Sequence, residues 1–125
     1  MRNAITTKDA PQAIGPYSQA IRAGNMLFVS GQGHLDPETG ALVAGDVATA
    51  THRVMDNIGA ILRAAGASFD HVVRTTVYLA DMGDFAAMNA VYGEYFSTPA
   101  PARTTIQAAR LPRDMRVEID VIAVL

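Results

Sequence analysis

Two charged residues stand in surroundings that give their charge a use. Arg103 follows Pro99-Ala100-Pro101-Ala102, a segment whose prolines restrict the backbone and so fix where the next strand begins. A guanidinium placed this way makes a good carboxylate clamp, because its planar fork gives two parallel charge-assisted hydrogen bonds. Glu118 lies in Val117-Glu118-Ile119-Asp120-Val121-Ile122, where a carboxylate among Val and Ile is unusual unless paired or functional. Partial burial there would raise its pKa toward the range useful for proton transfer. Each residue also has a plainer reading. Arg103 could sit in a sheet-edge ion pair, and Glu118 could pair with Arg116 or an arginine of another strand.

Other chemistries find less support. The run Phe28-Val29-Ser30-Gly31-Gln32-Gly33-His34 leaves a strand through two glycines, which lets a ligand approach backbone N–H groups. It is neither the dinucleotide fingerprint nor a P-loop, and Ser30 lies outside a G-x-S-x-G elbow. His34, His52 and His71 are 18 and 19 residues apart, which matches no local metal-ligand spacing, so no metal is expected. His52 and His71 read as simple solvated histidines. The chain has no cysteine, which removes thiolate nucleophiles, disulfides and cysteine-ligated metals. Net charge is −2, against a footprint for nucleic acid or anionic membranes, although Arg103, Arg110, Arg113 and Arg116 cluster late. The N-terminus lacks an apolar secretory core, and no run approaches the ~18 apolar residues of a spanning helix. A cytoplasmic location is the expectation.

The elements that must position these residues follow from patterning. At 125 residues, half of them hydrophobic, one domain over 1–125 is expected. Gln19 to Ala23 and Met26 to Ser30 are short extended runs around Gly24-Asn25, a hairpin. From Asp46, apolar Val47, Ala50, Val54, Ile58, Ile61, Leu62 and Ala65 recur at steps of three and four, a helix capped by Asp46 and ended at Gly66. Gly59 inside it costs ~1 kcal/mol relative to Ala unless something must approach closely there. Val72 to Leu79 reads as a central strand with Val73, Thr75, Val77 and Leu79 on one face. A second helix is expected from an Asp84 cap, with Phe85, Met88, Tyr92, Tyr95 and Phe96 on one stripe, of which Phe85, Met88, Tyr92 and Phe96 read as core. Strands Arg103 to Ala109 and Arg116 to Val124 close the chain. The order ββαβαββ contains two strand-helix-strand crossovers, and right-handed connections place both helices on the same side of one mixed α/β (α+β) sheet. The other side then needs a cover, which a second copy could provide.

Six spaced blocks carry a resemblance over residues 4 to 124. They are Ala13-Ile14-Gly15-Pro16-Tyr17-Ser18-Gln19-Ala20, Val29-Ser30-Gly31-Gln32, Arg74-Thr75-Thr76-Val77-Tyr78, Asn89-Ala90-Val91-Tyr92, Pro101-Ala102-Arg103 and Val117-Glu118-Ile119-Asp120. Together they resemble the signature of the RidA (YjgF-type) family. The resemblance implies a chorismate-mutase-like fold, a homotrimer with ligand clefts between subunits, and hydrolysis of enamines or imines such as 2-aminoacrylate to 2-oxo acids and ammonia, with no cofactor. It assigns Arg103 to the substrate carboxylate and Glu118 to the attacking water, with Tyr17, Ser30, Gly31 and Asn89 lining the cleft. Thr105 stands where some members have cysteine, so only a hydroxyl is available there. The segment Ser97 to Ala102 is also shorter than in some members. A deaminase of one catabolic pathway, a non-catalytic trimer binding 2-oxo acids, and a ribonuclease are the competing readings, in that order.

Overall fold

A computed structural model describes residues 1–125. Strands β1 (Arg2–Ile5), β2 (Ala20–Ala23) and β3 (Met26–Gln32) precede helix α1 (Val47–Ala64); β4 (Val72–Leu79), α2 (Phe85–Tyr92), β5 (Ala102–Gln107) and β6 (Val117–Val124) follow. They form one mixed sheet in the order β1-β2-β3-β6-β4-β5, with β4 and β5 parallel and every other pair antiparallel. The two helices pack on each other and on one face of this sheet. No helix is long and apolar enough to cross a membrane.

The sequence pattern omits β1, so the order is βββαβαββ rather than ββαβαββ. Its four residues, Arg-Asn-Ala-Ile, show no alternation, and only pairing with β2 makes them a strand. The β2–β3 hairpin turns through Gly24-Asn25 with φ +60° at Gly24, the left-handed conformation glycine adopts without cost. At α1, Asp46 accepts from the Thr49 N–H at 2.9 Å, satisfying one of the free donors of the first turn.

The core forms where α1 meets the inner strands. Val54, Ile58 and Ile61 of α1 are fully buried with Leu27, Val77 and Leu79. On β6, Val117, Ile119, Val121 and Ala123 face the helices and are buried, while Glu118, Asp120 and Ile122 on the opposite face are half-exposed. Gly59 is explained by an aromatic ring: a β-carbon there would lie 3.1 Å from Phe69 Cε2.

Strict alternation fails in β4. A bulge between Val72 and Arg74 inserts one residue, so Val72 joins Thr75, Val77 and Leu79 on the buried face and Val73 turns outward, 47% exposed. The second helix is also shorter than its apolar stripe. It stops at Tyr92, continues as a 3-10 turn over Gly93–Tyr95, and its Asp84 caps nothing; Asp81 instead accepts from the Gly83 N–H in the preceding turn. Tyr95 and Phe96 therefore leave the helical stripe and pack against Phe69, with ring centroids 5.3 and 5.5 Å from it.

The sheet face away from the helices carries Phe28, Val73 and Ile106, each more than 40% exposed, and no element of the chain covers it.

Candidate active site

Glu118 stands on the open face of β6, half-buried and without an ion-pair partner in the chain. Burial pushes its carboxyl above the usual glutamate range, and Asp120, two residues along on the same face, pushes it the same way. The expected pairing with Arg116 is absent, because that side chain lies 3.6 Å from Asp84 and donates to the Gly45 carbonyl. Beneath Glu118 is Gly31 of β3, where a β-carbon would come 2.9 Å from Glu118 Cδ and 3.0 Å from Oε2. Glycine at 31 is therefore what lets the carboxylate lie across the neighbouring strand.

A cleft of about 270 Å³ opens beside this pair, with Tyr17, Gly31 and Glu118 among its lining residues. Tyr17 is half-exposed on the loop after Gly15, and its hydroxyl accepts from the Ile14 N–H at 3.4 Å. Ser30 does not line the cleft. Its hydroxyl donates to the Ser18 carbonyl at 2.6 Å and its N–H to Gln19 at 3.0 Å, tying the Tyr17 loop to β3.

Arg103 lies elsewhere. In register it neighbours Thr75, and Thr75 neighbours Val121, so it points to the helix side. Its guanidinium carbon sits 4.8 Å from the Tyr92 ring centre and 5.5 Å from that of Phe85. Tyr92 is fixed in turn by a 2.7 Å hydrogen bond between its hydroxyl and that of Thr75. Phe85 and Tyr92, expected as plain core, thus cradle the arginine. No carboxylate of the chain pairs with it. Asn89 Oδ1 and Thr105 Oγ1 on the adjoining helix and strand are buried with no hydrogen-bond partner, a state that costs about 1–3 kcal/mol unless something else supplies the bond.

The candidate residues therefore fall into two half-sites. Tyr17, Gly31 and Glu118, supported by Ser30, gather on the open face, while Arg103, Asn89 and Thr105 belong to the helix side at β5, the edge strand. One chain does not bring Arg103 to Glu118.

Three buried polar side chains that patterning did not single out support the backbone around this cleft. Gln19, 4% exposed, donates to the Thr7, Ala10 and Pro11 carbonyls and accepts from the Thr7 N–H. Asn57, fully buried in α1, donates to Gly33 and Leu35. His34, also buried, accepts from the Arg116 N–H at Nε2 (2.9 Å), which leaves Nδ1 to donate to the Val43 carbonyl (3.0 Å). The available signal was a polar side chain inside an apolar pattern, as for Asn57 between Val54 and Ile58. His52 and His71 are not merely solvated: one bonds the Tyr95 hydroxyl at 2.9 Å and the other completes a capping box with Ser68.

A family model described as Endoribonuclease L-PSP matches residues 7–125. A RutC family protein of Pyrococcus horikoshii is 54% identical over 123 residues, covering 98% of each chain. A 2-iminobutanoate/2-iminopropanoate deaminase of Mus musculus is 50% identical over 124 residues, covering 99% of this chain and 92% of its own. The solved structure of RidA from an Antarctic Psychrobacter superposes with a TM-score of 0.95 at 43% identity, covering 98% of this chain and 99% of that one. With a family model over residues 7–125, relatives about half identical across nearly the whole chain and solved structures of the same fold, the chain belongs to the RidA (YjgF-type) family, the one that the matching model describes as Endoribonuclease L-PSP.

Proposed function

We propose that this protein hydrolyses reactive 2-imino acids and their enamine tautomers to 2-oxo acids and ammonia, in clefts between the subunits of a homotrimer. The observation that carries the reading is Arg103, held between two rings beside two orphaned polar oxygens and lacking a carboxylate of its own chain. A substrate carboxylate satisfies the guanidinium fork, and the substrate's nitrogen is a donor for an oxygen such as Asn89 Oδ1. The mouse relative named as an imino-acid deaminase supports the same reaction class.

The chemistry needs no nucleophilic side chain. Water adds to C2 of the imine R–C(=NH)–COO⁻, and the resulting carbinolamine loses ammonia to leave R–CO–COO⁻. Glu118, with its raised proton affinity, takes a proton from the water as the C–O bond forms and hands it to the imine nitrogen, then carries the carbinolamine's hydroxyl proton to that nitrogen as the C–N bond breaks and the C=O forms. Because Arg103 and Glu118 face opposite sides of one sheet, an edge strand of one copy laid against the open face of the next brings them together. The exposed Phe28, Val73 and Ile106 support that packing.

The late arginines favour this over RNA cleavage. Arg110 pairs with Asp114, Arg113 donates to the Gly40 carbonyl and Arg116 is engaged by Gly45, so three of the four are already occupied.

The test generates imino acids in situ with an amino-acid oxidase and traps them with semicarbazide. The wild type suppresses the semicarbazone, and Arg103→Ala loses on the order of 10² to 10⁴ in kcat/KM, the equivalent of two charged hydrogen bonds. A fully active Arg103→Ala protein would sink the clamp. Affinity for 2-oxo acids without turnover would favour a binding module instead.

A further inference from the structure

The cleft beside Glu118 is larger than the reaction itself requires. Beyond the carboxylate its walls include Pro11, Ile14, Leu35, Pro112 and Met115, interleaved with Gln12, Gln19 and Gln32, whose amide nitrogens donate to the Thr7, Pro11 and Ser30 carbonyls. The one cationic side chain at its rim, Arg113, already donates Nη1 to the Gly40 carbonyl at 2.8 Å. Polar groups among the walls are thus turned to the protein's own backbone, and the surface the cleft offers a ligand is mostly apolar.

One wall depends on a glycine. The space a β-carbon on Gly33 would fill is taken by the sulfur and terminal methyl of Met115. Met115 is itself 4% exposed, so any side chain at position 33 would drive it from its seat. Methionine, unbranched and polarizable, makes a wall that adapts to apolar groups of different shape.

Three buried polar side chains hold these walls in one arrangement. Gln19 fixes the Thr7–Pro11 segment, Asn57 fixes the carbonyls on either side of His34, and His34 fixes the backbone beside Met115. None is needed for proton transfer or for holding a carboxylate. Together they preform a cleft, which reduces the ordering cost of binding.

We propose that this cleft receives the substrate's side chain and that Met115, seated where Gly33 leaves room, limits its length, so that imino acids with longer apolar side chains are favoured over 2-iminopropanoate. The inference rests on the deaminase reading. With the carboxylate on Arg103 and C2 beside the water of Glu118, the side chain is the remaining substituent of C2, and the cleft is the room that remains. Burying each added methylene raises affinity about fourfold.

Straight-chain 2-oxo acids of three to six carbons are titrated by calorimetry, and the matching imino acids are turned over in the oxidase–semicarbazide assay, beside dicarboxylic 2-oxopentanedioate. In the wild type, affinity and kcat/KM rise about fourfold per methylene. Met115→Phe stops the rise, collapsing the six-to-three-carbon ratio by about tenfold or more. Met115→Ala, the second variant should the larger ring disturb folding, moves the optimum to longer chains. Turnover with a flat chain-length profile, preference for the dicarboxylate, or an unchanged ratio in both variants overturns the side-chain cleft and leaves the deaminase standing. No turnover of any imino acid overturns both.

Discussion

Arg103 and Glu118 acquire their chemical character from opposite kinds of surroundings. The arginine is stacked on two rings, so its orientation is set before any ligand arrives. The glutamate is held without a donor in a half-buried place, where its proton binds more tightly than in water. On the proposed mechanism it must be ionised to accept a proton, so activity falls on the acid side through a pKa above glutamate's ordinary 4.5; a pH profile of kcat/KM with its acid limb at or below that value would contradict the assignment. The same shift has a stability consequence. A carboxyl whose folded pKa is raised favours folding while protonated, and loses that advantage as pH rises from the unfolded to the folded pKa. Glu118→Gln, permanently neutral, therefore raises Tm at neutral pH, and its margin over wild type narrows as pH falls through that window. Thermal melts at several pH values check the sign.

At the scale of elements, the open-face half-site is a consequence of β3 crossing beside β6. The irregular register between Val29 and Gln32 carries Gly31 under Glu118, and the absence of a side chain lets the carboxylate lie there. Gly31→Ala pushes the carboxylate aside. Misplacement by about 1 Å lowers kcat on the order of 10²-fold, with little change in the fold as read by circular dichroism; an Ala variant with wild-type kcat would show that Glu118 tolerates displacement. On the other side of the sheet, the termination of α2 at Tyr92 matters as much as its presence. A helix continued to Phe96 would follow its own stripe, whereas the 3-10 turn lets Tyr95 and Phe96 pack on Phe69 while Tyr92 stays beneath Arg103.

For the whole molecule, the two half-sites lie on opposite faces of the sheet, and the proposed shared cleft makes a testable demand on assembly. If each cleft takes Arg103 from one copy and Glu118 from the next, then Arg103→Ala and Glu118→Gln proteins, each inactive alone, complement one another. Co-refolded in equal amounts, they regain about one quarter of wild-type activity, because one neighbouring pair in four supplies both intact residues. Activity that stays at the level of the separate variants would overturn the shared cleft. Sedimentation of the wild type gives the copy number directly.

The apolar periodicity from Val47 to Ala65 determined α1, because one stripe at helical spacing has only one way to be buried. Glycine at 24 determined the hairpin turn, and the order of strands and helices determined that both helices share a face. Spaced motifs determined the family and named Arg103 and Glu118. Tertiary structure alone decided that β1 exists, that a bulge turns Val73 outward, and that α2 ends early, since each depends on partners distant in sequence. It alone revealed Gln19, His34 and Asn57 as holders of the cleft, because a buried polar side chain is recognised by the backbone groups it satisfies, and those lie up to 82 residues away. Above all it decided that the two named residues stand on opposite faces of the sheet: alternation assigns a side chain to a face, but which face meets the helices and which stays open is a property of packing.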